Sequence, residues 1–304
     1  MDFVRNTKID FLGKWKITFV ISIALIILGL IAAAAIPLGK ANLSTDFEGG
    51  IALQFRFQQA VEIDKTRSLL AESGFKDANL QQFAEPTKLL VKLKRSDGDL
   101  RAISQTIGAV FTKGMPDNPF TIDSTTEIGP TVGKRLQKDA LWAVLVSMIG
   151  ILLYVAWRFE FRFGVAAVVA TFHDVLAVLG VFYLLDKEMS LLIVTALLTV
   201  AGYSLTDTVV VFDRIRENMR KKTKEDFLVL LNRSVNEVLS RTIVTSSTTL
   251  LASLALFFLG GEVIHDFALA LSLGVIVGTY SSIFIASPLL LYWNNKKKPA
   301  LAKV

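Results

Sequence analysis

The sequence contains no cysteine, which excludes a disulfide framework, a thiolate nucleophile and a cysteine-ligated metal, and leaves the redox compartment undecided. Histidine is almost as scarce. Its two copies, His173 and His265, stand far apart, and no HExxH or comparable ligand spacing occurs, so no metal site is expected. A Walker loop, a glycine-rich dinucleotide fingerprint and a nucleophile elbow are all missing, and Gly49-Gly50 alone is too short to cradle a phosphate. The chain is therefore expected to be neither an enzyme nor a cofactor carrier, and any energy it uses must come from a source other than ATP. Charged residues make up only 20% of the 304 positions, and the net charge of +6 falls in short clusters at the ends of apolar runs. That pattern does not form a nucleic-acid footprint; it fits membrane topology.

In place of such chemistry the chain has apolar length. It is 52% hydrophobic, with a mean hydropathy of +0.51, which marks a polytopic membrane protein in a lipid bilayer. The run at 17–38 is long enough to cross a bilayer core of about 30 Å. It is also longer than the roughly 7–15 apolar residues of a cleaved signal, so it is expected to stay as transmembrane helix 1. Residues 39–138 have an ordinary soluble composition. Alternation predicts strands at 51–57, 79–83, 89–93 and 120–127, and helical spacing predicts helices at 61–73 and 100–111. The order β-α-β-β-α-β is that of an α+β ferredoxin-like domain. Five further runs, at 140–157, 163–185, 191–212, 242–259 and 267–293, bring the transmembrane helices to six. The expected organisation is an N-terminus at 1–16, helix 1 at 17–38, the soluble domain at 39–138, helices 2–6 across 139–293 and a basic tail at 294–304.

Lys and Arg gather in the N-terminus, at Arg158 and Arg162, through 214–224 and in the tail, while the loops 186–190 and 260–266 carry almost none. The positive-inside rule then puts both termini in the cytoplasm and the soluble domain outside it, in a multi-pass protein of the cytoplasmic (inner) membrane. The cytoplasmic connection, 214–240, has Phe227, Leu230, Leu231, Val235, Val238 and Leu239 at helical spacing. This predicts either an interfacial amphipathic helix or a short helix packed on the bundle ends.

The stretch GYSLTDTVVVFDRIREN, 202–218, places a carboxylate, Asp207, inside an apolar run. An intramembrane ionisable residue costs several kcal/mol and is by default a candidate functional site. If the helix ends near Asp213, Asp207 lies about 9 Å inside the edge, at 1.5 Å per residue. Tyr203 and Ser204 share its face. Arg241 opens the next apolar run, followed on its face by Thr245, Thr248 and Thr249, and can reach Asp207 from the mouth of an antiparallel neighbour. Such a pair would hold when Asp207 is ionised and part when it is protonated. A static buried pair fixing helix register is the competing reading. His173-Asp174, mid-way along the third run, is either part of a proton path or a structural hydrogen-bonded pair. Ala270, Gly274, Gly278, Ser282 and Ala286 recur every four residues, a small-residue stripe for close helix packing. With ATP chemistry missing, the carboxylates point to an ion gradient.

At GYSLTDTVVVFDRIREN the match becomes specific: the chain resembles the SecF family of bacterial protein-export membrane proteins, within the resistance-nodulation-division superfamily. Supporting stretches are Asp46-Phe47-Glu48-Gly49-Gly50, Glu127-Ile128-Gly129-Pro130-Thr131-Val132-Gly133, Phe172-His173-Asp174-Val175 and Ser240-Arg241-Thr242-Ile243-Val244-Thr245-Ser246. The first departs slightly, since the family pattern is DFTGG followed by a small hydroxyl residue and here it is DFEGG followed by Ile51. The resemblance implies a partner, SecD, a site beside the SecYEG channel, association with YajC, and preproteins as the transported substrate. It also implies use of the proton motive force, with protons as the coupling ion and with Asp207 and Arg241 tied to proton flow. One six-helix unit in a superfamily that works as two such units agrees with a separate partner chain. The alternatives are a structural subunit that stabilises SecD without its own proton role, a stand-alone efflux carrier, and an intramembrane aspartyl protease pairing Asp174 with Asp207.

Overall fold

The computed structural model describes residues 7–83, 85–94, 100–221 and 225–297. Arg5, the part of the polar connection at 222–224 and the tail beyond 297 lie outside the described residues.

The first span, α1 (Trp15–Ala35), leads through a four-residue helix, α2 (Thr45–Glu48), into the soluble domain. There β1 (Gly50–Phe57), α3 (Ile63–Glu72), β2 (Asn79–Gln82), β3 (Lys88–Lys94), α4 (Leu100–Gly114) and β4 (Phe120–Ile128) follow the predicted β-α-β-β-α-β order. The sheet order is β2-β3-β1-β4, with every neighbouring pair antiparallel. Alternation in β1 turns Ile51, Leu53, Phe55 and Phe57 to one side, where Leu89, Val91 and Leu93 of β3 join them. Ile107 and Phe111 of α4, four residues apart, close this core, and Phe111 meets Phe55 edge-on at 4.9 Å between ring centres.

Five long helical segments complete the membrane part: α5 (Pro130–Arg158), α6 (Phe161–Leu184), α7 (Leu191–Arg220), α8 (Phe227–Leu259), and a last span made of α9 (Glu262–Ser281), a π-helical turn (Ser282–Ala286) and α10 (Ser287–Lys297). With α1 this makes six helices long and apolar enough to cross a membrane. The π turn has a local cause. Pro288 has no N–H to offer the carbonyl four residues back, and its ring would clash there, so the helix ahead of it widens. Ser287 Oγ bonds the Ser282 carbonyl at 3.2 Å, filling part of the gap.

α6 is the axis of the bundle. On one side it meets α1 at two glycines: a Cβ on Gly29 would stand 2.3 Å from the Leu176 carbonyl oxygen, and one on Gly180 would stand 2.8 Å from the Gly29 nitrogen. On the other side it faces α7 and α9. The small-residue stripe of α9 lies against α7, where a Cβ on Gly274 would meet Val200 at 2.1 Å and one on Gly278 would meet Ser204 at 3.1 Å. The intimate neighbour of that stripe is thus in the same chain.

Two readings of the sequence need correction. The polar block after Phe212 does not end its helix, because α7 runs on to Arg220. Residues 227–240 form no separate amphipathic helix; they are the first half of the continuous α8. The reason is that these two polar ends solvate each other. Arg214 reaches Glu237 at 2.7 Å, and the wholly buried Asn218 donates to Glu237 at 2.6 Å and to Ser234 at 3.0 Å. The depth of Asp207 measured from a helix end at Asp213 therefore does not hold.

Candidate functional site

Asp207 sits on the buried face of α7 and is 8% exposed. Thr242 of α8 donates to its Oδ1 at 3.0 Å, and Ser282 of the π turn donates to its Oδ2 at 2.8 Å. Both partners are neutral. Arg241 forms no ion pair with it within 4 Å, and the residue is exposed. Arg241 directly precedes Thr242, so the arginine stands at nearly the depth of the carboxylate, about 1.5 Å along the axis.

Asp174, on α6, is wholly buried. Its Oδ1 lies 2.9 Å from His173 Nδ1. Its Oδ2 accepts from Ser204 of α7 and, at 2.7 Å, from Ser281 of α9. Adjacent serines on the last span thus serve different carboxylates, Ser281 that of α6 and Ser282 that of α7. The His173 ring centre is 6.3 Å from that of Tyr280, whose hydroxyl donates to the Thr18 carbonyl of α1 at 2.6 Å.

Several residues expected on the polar face of Asp207 do other work. Ser204 serves Asp174. Thr245, Thr248 and Thr249 donate to the carbonyls of Arg241, Val244 and Thr245 in their own helix. The Tyr203 hydroxyl is buried and has no hydrogen-bond partner among the described residues. Conversely, sequence reasoning misses Thr242 and Ser281 and takes Ser282 for packing alone. A signal for Thr242 exists in the spacing. Thr242, Ser246 and Ser253 fall on one helical face, are all buried, and meet Asp207, Thr279 and Ser272 respectively. Arg241, Thr245 and Thr248 lie on the next face, which is exposed.

The far end of the bundle is tied to the soluble domain by the two glycine motifs. Ser44 caps α2, and Asp46 Oδ2 accepts the Leu191 N–H at the start of α7 at 3.1 Å. The Phe47 carbonyl takes a hydrogen bond from Gln137 of α5 at 3.0 Å, and Gly133 passes so close to it that a Cβ would stand 2.5 Å away. Gly49 has φ +82 and lies against Ile128 and Pro130. The segment beside Met189 pairs with 42–44 through hydrogen bonds of 2.7 and 2.8 Å. Glu188 takes Asn79 at 3.1 Å and Lys92 at 3.5 Å, Glu262 takes the Gln82 N–H at 3.0 Å, and Lys187 pairs with Asp266 at 2.8 Å. Asp46→Ala is expected to destabilise the protein by about 1 kcal/mol, as for loss of an N-terminal helix cap. Asp46→Asn, which retains an acceptor, should lie close to wild type. Thermal unfolding in mild detergent checks both.

Six helices of membrane-spanning length, a ferredoxin-like domain between the first two, and two carboxylates held by hydroxyls within the bundle define a membrane protein with a polar, buried helix interface. Residues 109–296, more than half of the chain, match the family described as "Protein export membrane protein SecD/SecF, C-terminal". Protein translocase subunit SecF of Thermodesulfovibrio yellowstonii is 55% identical over 288 residues, covering 94% of this chain and 95% of that protein. Protein translocase subunit SecDF of Thermus thermophilus is 42% identical over 299 residues, covering 96% of this chain and 40% of that one. A crystal structure of Thermus SecDF, described as a translocon-associated membrane protein, superposes with a TM-score of 0.78 at 40% identity. It is covered to 40% of its length by 97% of this chain. The chain belongs to the SecF branch of the SecD/SecF protein-export family, and it is a multi-pass membrane protein.

Proposed function

We propose that this chain is the SecF subunit of a SecD–SecF complex that assists Sec-dependent export of preproteins, and that it draws on the proton motive force through Asp207 and Arg241. The relatives named SecF and the SecDF chain that holds both parts in one polypeptide support the role and the partner. The observation that carries the mechanism is a buried carboxylate held by two neutral hydroxyls, with an exposed arginine at nearly the same depth. An exposed arginine in hydrocarbon is costly, so this face of α8 calls for a polar partner, which SecD supplies. Ionised, Asp207 attracts Arg241 across the turn of α8; protonated, it releases the arginine to that partner. Each proton crossing the field provides about 2.3 kcal/mol per 100 mV, enough to bias such a two-position element.

The basic clusters at one end of the bundle favour cytoplasmic termini and an extracytoplasmic soluble domain, in the cytoplasmic membrane. The family resemblance adds SecYEG and YajC as neighbours. A structural role, stabilising SecD without moving protons, is favoured by one observation: both carboxylate oxygens of Asp207 already have donors. Asp207→Asn and Arg241→Met in vesicles carrying SecD and the channel separate the two readings. Loss of gradient-stimulated translocation from a complex that still co-purifies supports proton coupling. Undiminished stimulation overturns it and leaves the structural role.

A further inference from the structure

Proton coupling through Asp207 and Arg241 leaves Asp174 without a role. We infer that Asp174 is a second proton-binding carboxylate of the same intramembrane path, linked to Asp207 through the adjacent serines Ser281 and Ser282 at the π turn. The place of this site in export rests on the proton-driven function proposed for Asp207; its existence as a proton site does not.

The serines have the geometry of two-position donors. Ser281 Oγ is 2.7 Å from Asp174 Oδ2 and 3.1 Å from the Gly278 carbonyl of its own helix. Ser282 Oγ is 2.8 Å from Asp207 Oδ2 and 3.0 Å from the Thr279 carbonyl. A hydroxyl has one hydrogen and two lone pairs. With the carboxylate ionised, that hydrogen points at it. When the carboxylate takes a proton on Oδ2, the new O–H donates to the serine oxygen and the serine hydrogen turns to the main-chain carbonyl. No heavy atom has to move, and no group is left without a partner in either state. Ser272 and Thr279 have the same two-partner geometry between helices; what is particular to Ser281 and Ser282 is that each has a carboxylate as one of the two partners. Consecutive helical residues point about 100° apart, so Ser281, the last residue of α9, turns to α6 and Ser282, the first of the π turn, turns to α7.

Independent of the carboxylates, the same layer holds polar atoms with nothing to bond. His173 Nε2 is wholly buried and has no hydrogen-bond partner among the described residues, while Nδ1 faces Asp174. Thr171 Oγ1 and Thr208 Oγ1 are equally buried and also lack a partner there. Thr171 is one turn before Asp174 and Thr208 one turn after Ser204, so on antiparallel helices both lie at one depth, toward Asp207. Buried groups of this kind are rare in native proteins unless a water or ion serves them or a redox or catalytic role holds them. A proton-conducting layer is such a role. The groups bonded to Asp174 are His173 on its own helix, Ser204 on α7 and Ser281 on α9, with Tyr280 of α9 beside His173; of the other helices packed on α6, α1 offers no titratable side chain between Ile17 and Ala35, and α5 offers Tyr154 between Ala140 and Trp157. Among the described residues no buried Lys or Arg lies beside Asp174.

The test is infrared difference spectroscopy of the intact complex with SecD, recorded against pH in the carboxylic-acid C=O region. Two protonated-carboxyl bands are expected from this chain, one lost in Asp207→Asn and the other in Asp174→Asn. Ser281→Ala, which removes one donor and adds no bulk, should shift the Asp174 band and leave the Asp207 band in place; Ser282→Ala should do the reverse. A spectrum in which neither Asp174→Asn nor Ser281→Ala alters any acid band at any pH overturns the inference and makes Asp174 a permanently ionised structural ligand. If Asp174→Asn does not assemble, Ser281→Ala alone decides. The spectra require no translocation. If Asp207→Asn leaves gradient-driven export intact while the Asp174 band is present, the proposed function fails and this inference stands. If the band is missing while Asp207→Asn abolishes export, the reverse holds.

Discussion

Gly29→Ala is expected to destabilise the membrane bundle by about 3 kcal/mol, the upper end of the range for overpacking a tight interior. The added methyl would stand 2.3 Å from the Leu176 carbonyl oxygen, inside any real contact distance, and what it meets is main chain. A rotamer change cannot relieve that clash. α1 must instead move away from α6, which opens the contact between Gly29 and Gly180 where the two backbones touch. Close backbone approach through small residues is how membrane helices associate, because lipid offers no hydrophobic drive to do it. The measurement is the thermal midpoint in mild detergent, with Gly150→Ala as control. Gly150 lies in α5 with nothing within 4 Å of the position an added methyl group would take, so that change should be neutral or stabilising by up to about 1 kcal/mol. An unchanged midpoint for Gly29→Ala would refute the packing account.

Gly274→Leu is expected to cost a comparable amount, about 3 kcal/mol, and to remove gradient-stimulated export as well. A Cβ there already meets Val200 at 2.1 Å, and Val200 is buried and β-branched, so it has little freedom to yield. α9 must lift away from α7. Ser281 and Ser282 ride on that helix, about two turns further on, and their bonds to Asp174 and Asp207 depend on its position. A displacement of an ångström is enough to break hydrogen bonds of 2.7–2.8 Å. Gly274→Ala should show a weaker form of both effects. Co-purification with SecD and stimulated translocation, measured on the same preparation, check the two halves. A Gly274→Leu complex with full stimulation would show that the serine–carboxylate bonds are dispensable.

Much of the architecture can be read from periodicity. The soluble domain follows it closely, since alternation in 51–57 matches β1 and the stop at Gly74 lies just beyond α3. Apolar runs locate every span but underestimate the helices. Arg214, Glu217, Asn218 and Glu237 look like the end of a membrane helix because nothing local distinguishes a polar side chain facing water from one facing another helix. The π turn is equally hidden, although Ser287-Pro288 is its cause. In the site, the costly residues Asp207, Asp174 and His173 can be picked out individually, since an ionisable group among apolar ones is visible in one dimension. Their partners are hydroxyls, and serine and threonine occur throughout the membrane helices. Which of them meets a carboxylate depends on rotation of the helices about their axes. Hence spacing alone gives Ser204 to the wrong aspartate, and it turns Arg241 inward when Thr242, one residue and about 100° away, takes that position.

The knot at Asp46 has a consequence for how the protein is made. The N–H it accepts belongs to Leu191, 145 residues later in the chain. At a synthesis rate of roughly 5–20 residues per second, the ribosome takes about 7–30 s to supply that partner. Asn79 waits similarly for Glu188, 109 residues on, and the Phe11 N–H for Asn232, 221 residues on. The ferredoxin-like domain has its complete core by Phe120. It therefore has its core while the chain holds a single span; the bond from Gln137 of α5 to Phe47 comes 90 residues after Phe47, and the bonds of Glu188 and Leu191 come only as the fourth span arrives.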